Sequence, residues 1–288
     1  MVYIENEFLK VAVNDELGGS LTSIYDKKLN QERQYQPVEG SWSGQDVVIF
    51  PFVARLNGTY KVGDEEYSMK NHGLARYHGF ETVKNNGEEL VLRFAFDENT
   101  LKEYPYEFVL NVTYRLDGPS LEVTYSVYNP SFKPIYFGLG GHPALKIDED
   151  ENNEIKGNYI LFPERTKVVK MKLDPTFSYI VGEEEELILE RIDLNRDLFR
   201  KEGTLMYRVN NLKECVLVRK NGQQIRYEFK NNAYLAIWTN PTKGDYVCVE
   251  PWTSLPDYLD APKEFSEKKT LIGLSPKLTY TMSYKMNF

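Results

Sequence analysis

The sequence is poor in the two residue types that most often bind transition metals or cross-link a chain. Its 288 residues include only three histidines and two cysteines. With so few histidines, a multi-histidine metal centre is not expected. The cysteines, Cys215 and Cys248, lie in separate apolar runs, and two isolated cysteines in a chain of this length do not make a disulfide framework. We therefore predict that the protein has no metal site.

The sequence also lacks a concentration of positive charge and a long apolar segment. It has 35 Lys and Arg against 43 Asp and Glu, a net charge of -8. Without a basic patch, a nucleic-acid partner is not expected, although two well-placed cations can bind one sugar phosphate. No segment approaches the roughly 18 apolar residues of a membrane helix, and the acidic N-terminus has no apolar signal core. We expect no membrane partner and a cytoplasmic location.

Several catalytic signatures are missing as well. The chain contains no Gly-x-Ser-x-Gly, His-Glu-x-x-His, Cys-x-x-Cys or P-loop sequence. These motifs accompany serine hydrolases, zinc peptidases, thiol redox proteins and nucleotide-binding enzymes, respectively. The sequence therefore gives no support to any of those four chemistries.

What the sequence does have is alternation with a period of two residues. In Phe108–Tyr114 and in Leu121–Tyr128, every second residue is a large apolar or aromatic one, and Asp117-Gly118 lies between the two segments. Glycine supplies the positive φ that a tight reversal requires, so the pattern predicts a β-hairpin. The same signal recurs around Asn86-Gly87 and around Lys220–Gln223.

Evidence for helices is thin. One short helix is predicted over Asp193–Lys201, with Asp193 as its N-cap and Gly203 just beyond its end. The acidic run Glu183–Glu186 is interpreted as a solvated loop, because consecutive carboxylates point in different directions and lack the spacing of a calcium loop. Many short strands without alternating helices predict an all-β antiparallel sandwich or barrel, and residues 1–288 are predicted to form one domain.

Two of the histidines have unusual neighbours. His142 lies in Gly138-Leu-Gly-Gly-His-Pro143, and His72 is followed by Gly73 and, four residues on, by Arg76. Such a backbone suits neither a helix nor a central strand, and it often serves a turn or the close approach of a ligand. A structural role and a functional role are both consistent with these two segments.

One carboxylate also stands out. Glu250 ends the apolar run Tyr246–Glu250 and is followed by Pro251. If Val247 and Val249 face the core, Glu250 lies on the other face with Cys248, and apolar neighbours would raise its pKa as a general base requires. An exposed edge-strand glutamate is the alternative.

Two further residues suggest a ligand site. Arg55 follows the apolar run 49–54, where a cation needs either a buried carboxylate or a polar ligand as partner. Trp238 precedes the Glu250 strand; its ring could stack on a sugar, although packing in the core is the commoner use of tryptophan.

Together these segments resemble the aldose 1-epimerase/galactose mutarotase superfamily, in particular its LacX-like branch. The resemblance covers nearly the whole chain through segments in the family's order, namely Leu17–Ile24, Phe50–Leu56, His72–Arg76, Gly141–Ala144, Ile237–Thr239 and Cys248–Trp252. It implies a large antiparallel β-sandwich, an isomerase that needs no cofactor, and a small-molecule sugar as the partner of a monomer or weak homodimer.

The resemblance also implies roles for single residues. Glu250 matches the general base that takes the proton of the C1 hydroxyl, and His142 matches the general acid that protonates the ring oxygen. Arg55 and His72 match residues that hydrogen-bond sugar hydroxyls. An acid and a base on opposite sides of the hemiacetal would open and reclose the ring without forming a free oxyanion.

Two features depart from the better-studied galactose mutarotases. His142 lies between Gly141 and Pro143 instead of following an asparagine, and residues 201–204 contain no match for an additional substrate-binding aspartate. Arg76 either binds a carboxylate structurally or provides a second cation for a sugar phosphate. The sequence therefore predicts an aldose 1-epimerase and leaves the sugar open. The alternatives are a hexose-6-phosphate mutarotase, a catalytically silent sugar-binding protein of the same fold, and a polysaccharide-processing enzyme with a long groove.

Overall fold

The computed structural model describes residues 1–209 and 212–288, and most of its regular structure is antiparallel β-sheet. In this described part the strands are β1 (Val2–Glu5), β2 (Leu9–Asn14), β3 (Ser20–Asp26), β4 (Gln31–Glu32), β5 (Val48–Ile49), β6 (Tyr60–Val62), β7 (Glu65–Tyr67), β8 (Glu81–Asn85), β9 (Glu89–Ala95), β10 (Val109–Asp117), β11 (Ser120–Tyr128), β12 (Ile135–Phe137), β13 (Gly140–Gly141), β14 (Ala144–Lys146), β15 (Tyr159–Leu173), β16 (Ile180–Asp193), β17 (Leu205–Val209), β18 (Glu214–Val218), β19 (Gln224–Lys230), β20 (Tyr234–Trp238), β21 (Tyr246–Trp252), β22 (Ile272–Leu274) and β23 (Thr279–Asn287). The helices are α1 (Arg196–Glu202) and three short 3-10 turns at Ala75–Tyr77, Thr100–Lys102 and Phe265–Glu267.

Most strands belong to one large antiparallel sheet. Its order is β5-β13-β21-β20-β17-β15-β18-β19-β23-β11-β10-β9-β8, with β14 also paired to β21 and β16 to β15. A second sheet, of four strands, has the order β1-β2-β3-β4, and the pairs β12-β22 and β6-β7 complete the strands.

The long strand β15 connects the two halves of the large sheet. Its segment 159–161 pairs with β18, whereas its segment 168–170 pairs with β17. Side chains from the β21 half, such as Val249, and from the β11 half, such as Val123, pack in one buried core. The predicted large antiparallel β-sandwich is thus confirmed, and the prediction that residues 1–288 form a single domain stays a prediction.

The predicted hairpins are confirmed. Strands β10 and β11 pair from Val109–Tyr128 to Asp117–Ser120, and Gly118 in the turn has a φ of 55°. The turns between β8 and β9 and between β18 and β19 contain Gly87 and Gly222, which also have positive φ values. The alternating apolar residues of both segments are fully buried, which explains the period of two.

Two local predictions are wrong. The helix α1 begins after Asn195, whose side-chain oxygen accepts a hydrogen bond from the Leu198 amide at 2.9 Å, while the predicted cap, Asp193, ends β16. Glu183–Glu186 is not a loop but part of β16, where Glu183 forms a salt bridge with Arg208 of β17. In both cases β16 continues further than the local sequence indicates, because it pairs with the long strand β15. Within the described residues, no helix is long and apolar enough to cross a bilayer.

Strand β21 separates the main core from a second buried surface. Val247 and Val249 belong to the core between the two halves of the sheet, as the sequence predicts. Tyr246, Cys248 and Glu250 alternate with them, so their side chains lie on the opposite face of the sheet. The whole strand is buried, and this second face is where the polar side chains collect.

A close backbone approach brings residues 50 and 73 together. Phe50 and Gly73 form an isolated parallel bridge, and the Phe50 carbonyl accepts hydrogen bonds from the amides of Leu74 at 2.7 Å and Ala75 at 3.1 Å. Gly73 has a φ of 79°, and a Cβ atom there would lie 2.3 Å from the Phe50 carbonyl oxygen. Only glycine fits this contact, which holds the segment of His72 against that of Arg55.

The Gly73→Ala variant is expected to be much less stable than the Gly63→Ala variant. Both positions have positive φ values, of 79° and 63°, but a Cβ at Gly63 meets nothing within 4 Å. Backbone strain alone costs about 1–2 kcal/mol, and the clash at Gly73 should add about 1–3 kcal/mol. Urea unfolding of both variants measures the difference, and equal losses would show that the Phe50 contact relaxes freely.

Candidate active site

A cavity of about 320 Å³ opens on the second face of β21. It brings together all six residues predicted to bind or act on a substrate, although they come from distant parts of the chain. The roles of these residues in binding and catalysis stay predictions. Its lining consists of Trp42, Ala54, Arg55, Asn71, His72, Arg76, His142, Phe177, Ser178, Thr204, Met206, Trp238, Glu250, Trp252 and Pro256.

Strand register explains why His142 and Glu250 meet. Gly140 pairs with Trp252, and Ala144 pairs with Cys248, so His142 lies directly opposite Glu250 between these two pairs. Directly opposed residues of antiparallel strands have Cβ atoms about 4.5–5.5 Å apart. Accordingly, His142 Nε2 lies 3.2 Å from Glu250 Oε2.

The expectation that the acid and the base stand on opposite sides of a sugar is therefore wrong. The two side chains lie next to each other on one wall of the cavity, within contact distance. A ligand must approach both groups from the same side. This arrangement suits two proton transfers at neighbouring atoms of a ligand better than transfers at its two ends.

Burial sets the protonation of this pair. Glu250 is 1% exposed, and its pKa is raised well above the usual range, first by burial and then by the negative charge of Asp46. Burial also lowers the pKa of His142 to about 3. Burial thus favours the uncharged form of each group, a protonated carboxyl at Glu250 and a neutral imidazole at His142.

His72 is held in one tautomer. Its Nδ1 accepts a hydrogen bond from the Ala54 amide at 3.2 Å, and its own amide donates to the Ala54 carbonyl at 2.9 Å. Burial keeps the pKa of His72 well below its usual value, and the nearby His142 and Arg76 add to the effect. A neutral ring that accepts at Nδ1 carries its hydrogen on Nε2. His72 can therefore donate one hydrogen bond to a ligand.

Two arginines give the cavity positive charge. Arg55 is exposed at the rim, and Arg76 is half-buried. Within the described part of the chain, neither forms an ion pair with a carboxylate; Arg76 instead stacks over the ring of Tyr77 at 5.2 Å. Both guanidinium groups are thus available to acceptors on a ligand.

Aromatic rings form one side of the cavity. The Trp42 ring lies 5.0 Å from that of His142 and 5.5 Å from that of Trp238, which meets it edge-on. Trp42 comes from the segment between β4 and β5, far from Trp238 in sequence. Trp238, which the sequence indicated as a site residue, therefore lines the cavity together with Trp42, which the sequence did not indicate.

The opposite side comes from residues that the sequence reasoning missed. The tip of the β15–β16 hairpin contributes Phe177 and Ser178, and residues after α1 contribute Thr204 and Met206. Glu202, close to Thr204 in sequence, bonds to Lys170 at 2.7 Å instead. Among the described lining residues, Glu250 is the one acid. Ser178 and Thr204 thus bring hydroxyl groups to the cavity.

Asp46 is a second buried acid that the sequence reasoning missed. It is 6% exposed, its Oδ2 accepts a hydrogen bond from the Leu21 amide at 2.9 Å, and burial raises its pKa to about 6. Its charge acts on Glu250 and on Cys248 and raises both of their pKa values. The sequence feature that could have identified Asp46 is its position immediately before the apolar run 47–50.

One set of side chains has the composition of a metal site. Ligand atoms of His142, Cys248 and Glu250 all lie within 4.8 Å of one another, and all three residues are buried. The absence of a metal site stays a prediction, and a metal ion bound by these three residues would contradict it.

Comparison with known proteins gives one consistent result. A family model described as aldose 1-epimerase matches residues 1–286. Protein LacX of Lactococcus lactis subsp. lactis, in its plasmid and chromosomal forms, is 27% identical over 293 residues, which cover 98% of this chain and 97% of LacX.

Solved structures agree with this match. A galactose mutarotase related enzyme from Lactobacillus acidophilus superimposes with a TM-score of 0.92 at 27% identity, over 99% of this chain and 96% of that one. A galactose mutarotase-like protein from Lactobacillus casei has a TM-score of 0.91 at 24% identity, over 100% and 99% of the two chains. At 24% identity, the match to the Lactobacillus casei protein shows a similarity of fold alone.

We expect His72 to make the protein less stable in acid. Because the pKa of folded His72 is lowered, the unfolded chain binds a proton there below about pH 6.5 that the folded chain does not. The free energy of unfolding should therefore fall with decreasing pH, by up to about 1.4 kcal/mol per unit from this residue. His142 is less suited to the test, since the opposite pKa shift of Glu250 offsets it.

Urea unfolding at pH 7 and pH 5 measures the effect. His72→Asn, whose side chain tolerates the φ of 63° at this position, should reduce the loss of stability between the two pH values. His78→Asn, outside the cavity lining, is the matched control. An unchanged loss in His72→Asn would mean that His72 is protonated in the folded protein.

Proposed function

The chain belongs to the aldose 1-epimerase family, and we propose that it interconverts the α and β anomers of an aldose by opening and reclosing the sugar ring. The observation that supports this most strongly is the contact between His142 and Glu250, at 3.2 Å, on the wall of a cavity. The proposed enzyme is an isomerase, and the proposed reaction needs no cofactor. A cytoplasmic location and a monomeric or weakly dimeric state stay predictions.

The pair offers the two groups that the reaction needs. Ring opening requires one group that accepts the proton of the C1 hydroxyl and one that donates a proton to the ring oxygen. Burial favours the opposite distribution of the proton in the empty cavity, on Glu250 and not on His142. We assign the base to Glu250 and the acid to His142, which requires that this proton passes to His142 when the sugar binds. Hydroxyl groups of the sugar that contact the carboxylate would stabilise its charge and favour this transfer.

The chemical steps then follow in order. Glu250 takes the hydroxyl proton from O1, the C1–O5 bond breaks as C1=O1 forms, and His142 protonates O5. Rotation about the C1–C2 bond presents the other face of the aldehyde, and reclosure runs the same transfers backwards. Because O1 and O5 are both bonded to C1, an acid and a base side by side can reach both atoms.

The rest of the cavity suits a single sugar unit. His72 donates one hydrogen bond, Arg55 several, and Trp42 and Trp238 offer apolar faces for C–H groups. A volume of about 320 Å³ is at the small end of ligand pockets, which measure roughly 300–1,000 Å³. A long polysaccharide groove is not what this enclosure provides.

A phosphorylated aldose is the second candidate substrate. Two arginines without carboxylate partners among the described residues line the cavity, and the acid among those residues is Glu250. Guanidinium groups bind phosphate oxygens in a two-pronged manner. The positive charge of the two arginines favours an anionic sugar over a neutral one. The same preference would hold for a catalytically silent binding protein.

Polarimetry of freshly dissolved sugars tests the enzyme against the silent binding protein. The wild type should accelerate mutarotation of at least one of α-D-glucose, α-D-galactose and α-glucose 6-phosphate. Glu250→Gln and His142→Asn should each lose roughly 100- to 10,000-fold, the usual contribution of a general acid or base.

Glu202→Gln is the matched control, because this glutamate bonds to Lys170 and is not among the cavity-lining residues. It should keep the wild-type rate. If the wild type accelerates none of the sugars but calorimetry detects binding, the silent binding protein is the correct alternative.

Arg76→Gln separates the two substrate classes. If the substrate is phosphorylated, the variant should raise KM for α-glucose 6-phosphate at least about tenfold, since charged hydrogen bonds contribute about 1.5–3 kcal/mol, and should change KM for glucose little. Arg115→Gln, whose guanidinium pairs with Glu122 on an exposed strand surface, is the control. Equal effects on both sugars would indicate that Arg76 has a structural role.

A further inference from the structure

Three side chains that can bind a metal ion, a thiol, an imidazole and a carboxylate, converge beside the cavity. Cys248 and Glu250 are two residues apart on one face of β21, and the register places His142 opposite Glu250 and Ala144 opposite Cys248. Ligand atoms of all three residues lie within 4.8 Å of one another. This spacing follows from the pairing of β21 with β13 and β14 on either side of His142.

These donors have few other partners. Glu250 Oε1 and Oε2 and His142 Nδ1 are buried atoms without a hydrogen bond among the described residues, and Cys248 is a free thiol that is fully buried. Buried polar atoms are nearly always satisfied, so unsatisfied ones indicate a missing ligand, water or ion.

The geometry resembles that of a three-ligand metal site with an open position. Tetrahedral zinc binds Cys, His and carboxylate ligands at about 2.0–2.3 Å, which places ligand atoms a little over 3 Å apart, close to the 3.2 Å between His142 Nε2 and Glu250 Oε2. Cys248 supplies the third ligand atom, within 4.8 Å of the other two. His142 and Glu250 line the cavity, which gives an ion access to this set of ligands.

Charge balance favours a divalent ion here. A thiolate, a carboxylate and a neutral imidazole carry two negative charges, so a divalent cation makes the buried set neutral.

We propose that His142, Cys248 and Glu250 form a binding site for a thiophilic divalent cation of the zinc class, and that the bound ion blocks the acid–base pair. The ion occupies the lone pairs that the proposed reaction needs for proton transfer. The binding rests on geometry alone, whereas the inhibition rests on the proposed function.

Cobalt(II) is the probe for the binding. Titrated into the wild type, one Co²⁺ per chain should produce a thiolate-to-cobalt charge-transfer band in the near ultraviolet. Cys248→Ala should lose the band and bind Co²⁺ more than about tenfold more weakly, since even outer-shell partners of a metal contribute 10- to 100-fold.

Cys215→Ala is the matched control, because Cys215 is the other fully buried free cysteine and lies on β18 away from the cavity. It should keep the band. Cys248→Ser provides a second variant should Cys248→Ala not fold, with circular dichroism as the check. His142→Asn should retain a weaker band. Absence of the band in the wild type, or a band unchanged in folded Cys248→Ala or Cys248→Ser, would overturn the site.

Activity tests the inhibition separately. Mutarotation by the wild type should fall at least tenfold with saturating Co²⁺ or Zn²⁺ and return on addition of a chelator. A rate that is unchanged or raised by bound metal would overturn the block while leaving the site intact. A wild type that shows the band but accelerates no sugar, with or without metal, would contradict the proposed function and not the metal site.

Discussion

The pairing of β14 and β13 with β21 is the constraint from which the cavity follows. It places His142 opposite Glu250, and it places Cys248 beside them on the same face. A slip of one residue would exchange the two faces of the strand, so that Glu250 would point into the main core and Val249 into the cavity. The apolar face formed by Val247 and Val249 therefore fixes the register, and with it the contact on which the proposed proton transfer depends.

This pairing in turn requires glycine. A Cβ atom at Gly140 would lie 2.5 Å from the Trp252 ring, and one at Gly141 would lie 2.7 Å from the Tyr284 ring. Neither position needs an unusual φ; what each requires is space for a neighbouring aromatic ring. The sequence Gly-Gly-His thus lets a backbone segment enter a crowded interior and deliver one imidazole. The same crowding buries Glu250, and this burial raises its pKa.

Local patterns predicted the strands well, because alternation and glycine turns act over a few residues, as in the hairpin of β10 and β11. The six proposed site residues were identified partly from unusual local surroundings and partly from family resemblance, and the structure places them around one cavity. Ser178 was missed because its position in the cavity depends on where the long hairpin of β15 and β16 ends. Asn195 was missed as a cap because β16 extends to Asp193. The contact between His142 and Glu250 depends on register, which neither segment reveals alone.

The aromatic side of the cavity has a practical consequence. The chain has three tryptophans, and Trp42, Trp238 and Trp252 all line this cavity. Its intrinsic tryptophan fluorescence therefore arises from one place, with a histidine ring 5.0 Å from the Trp42 ring and 5.9 Å from the Trp238 ring. Without any added label, the emission spectrum is an optical reporter of what occupies the cavity and of the charge on the neighbouring imidazole.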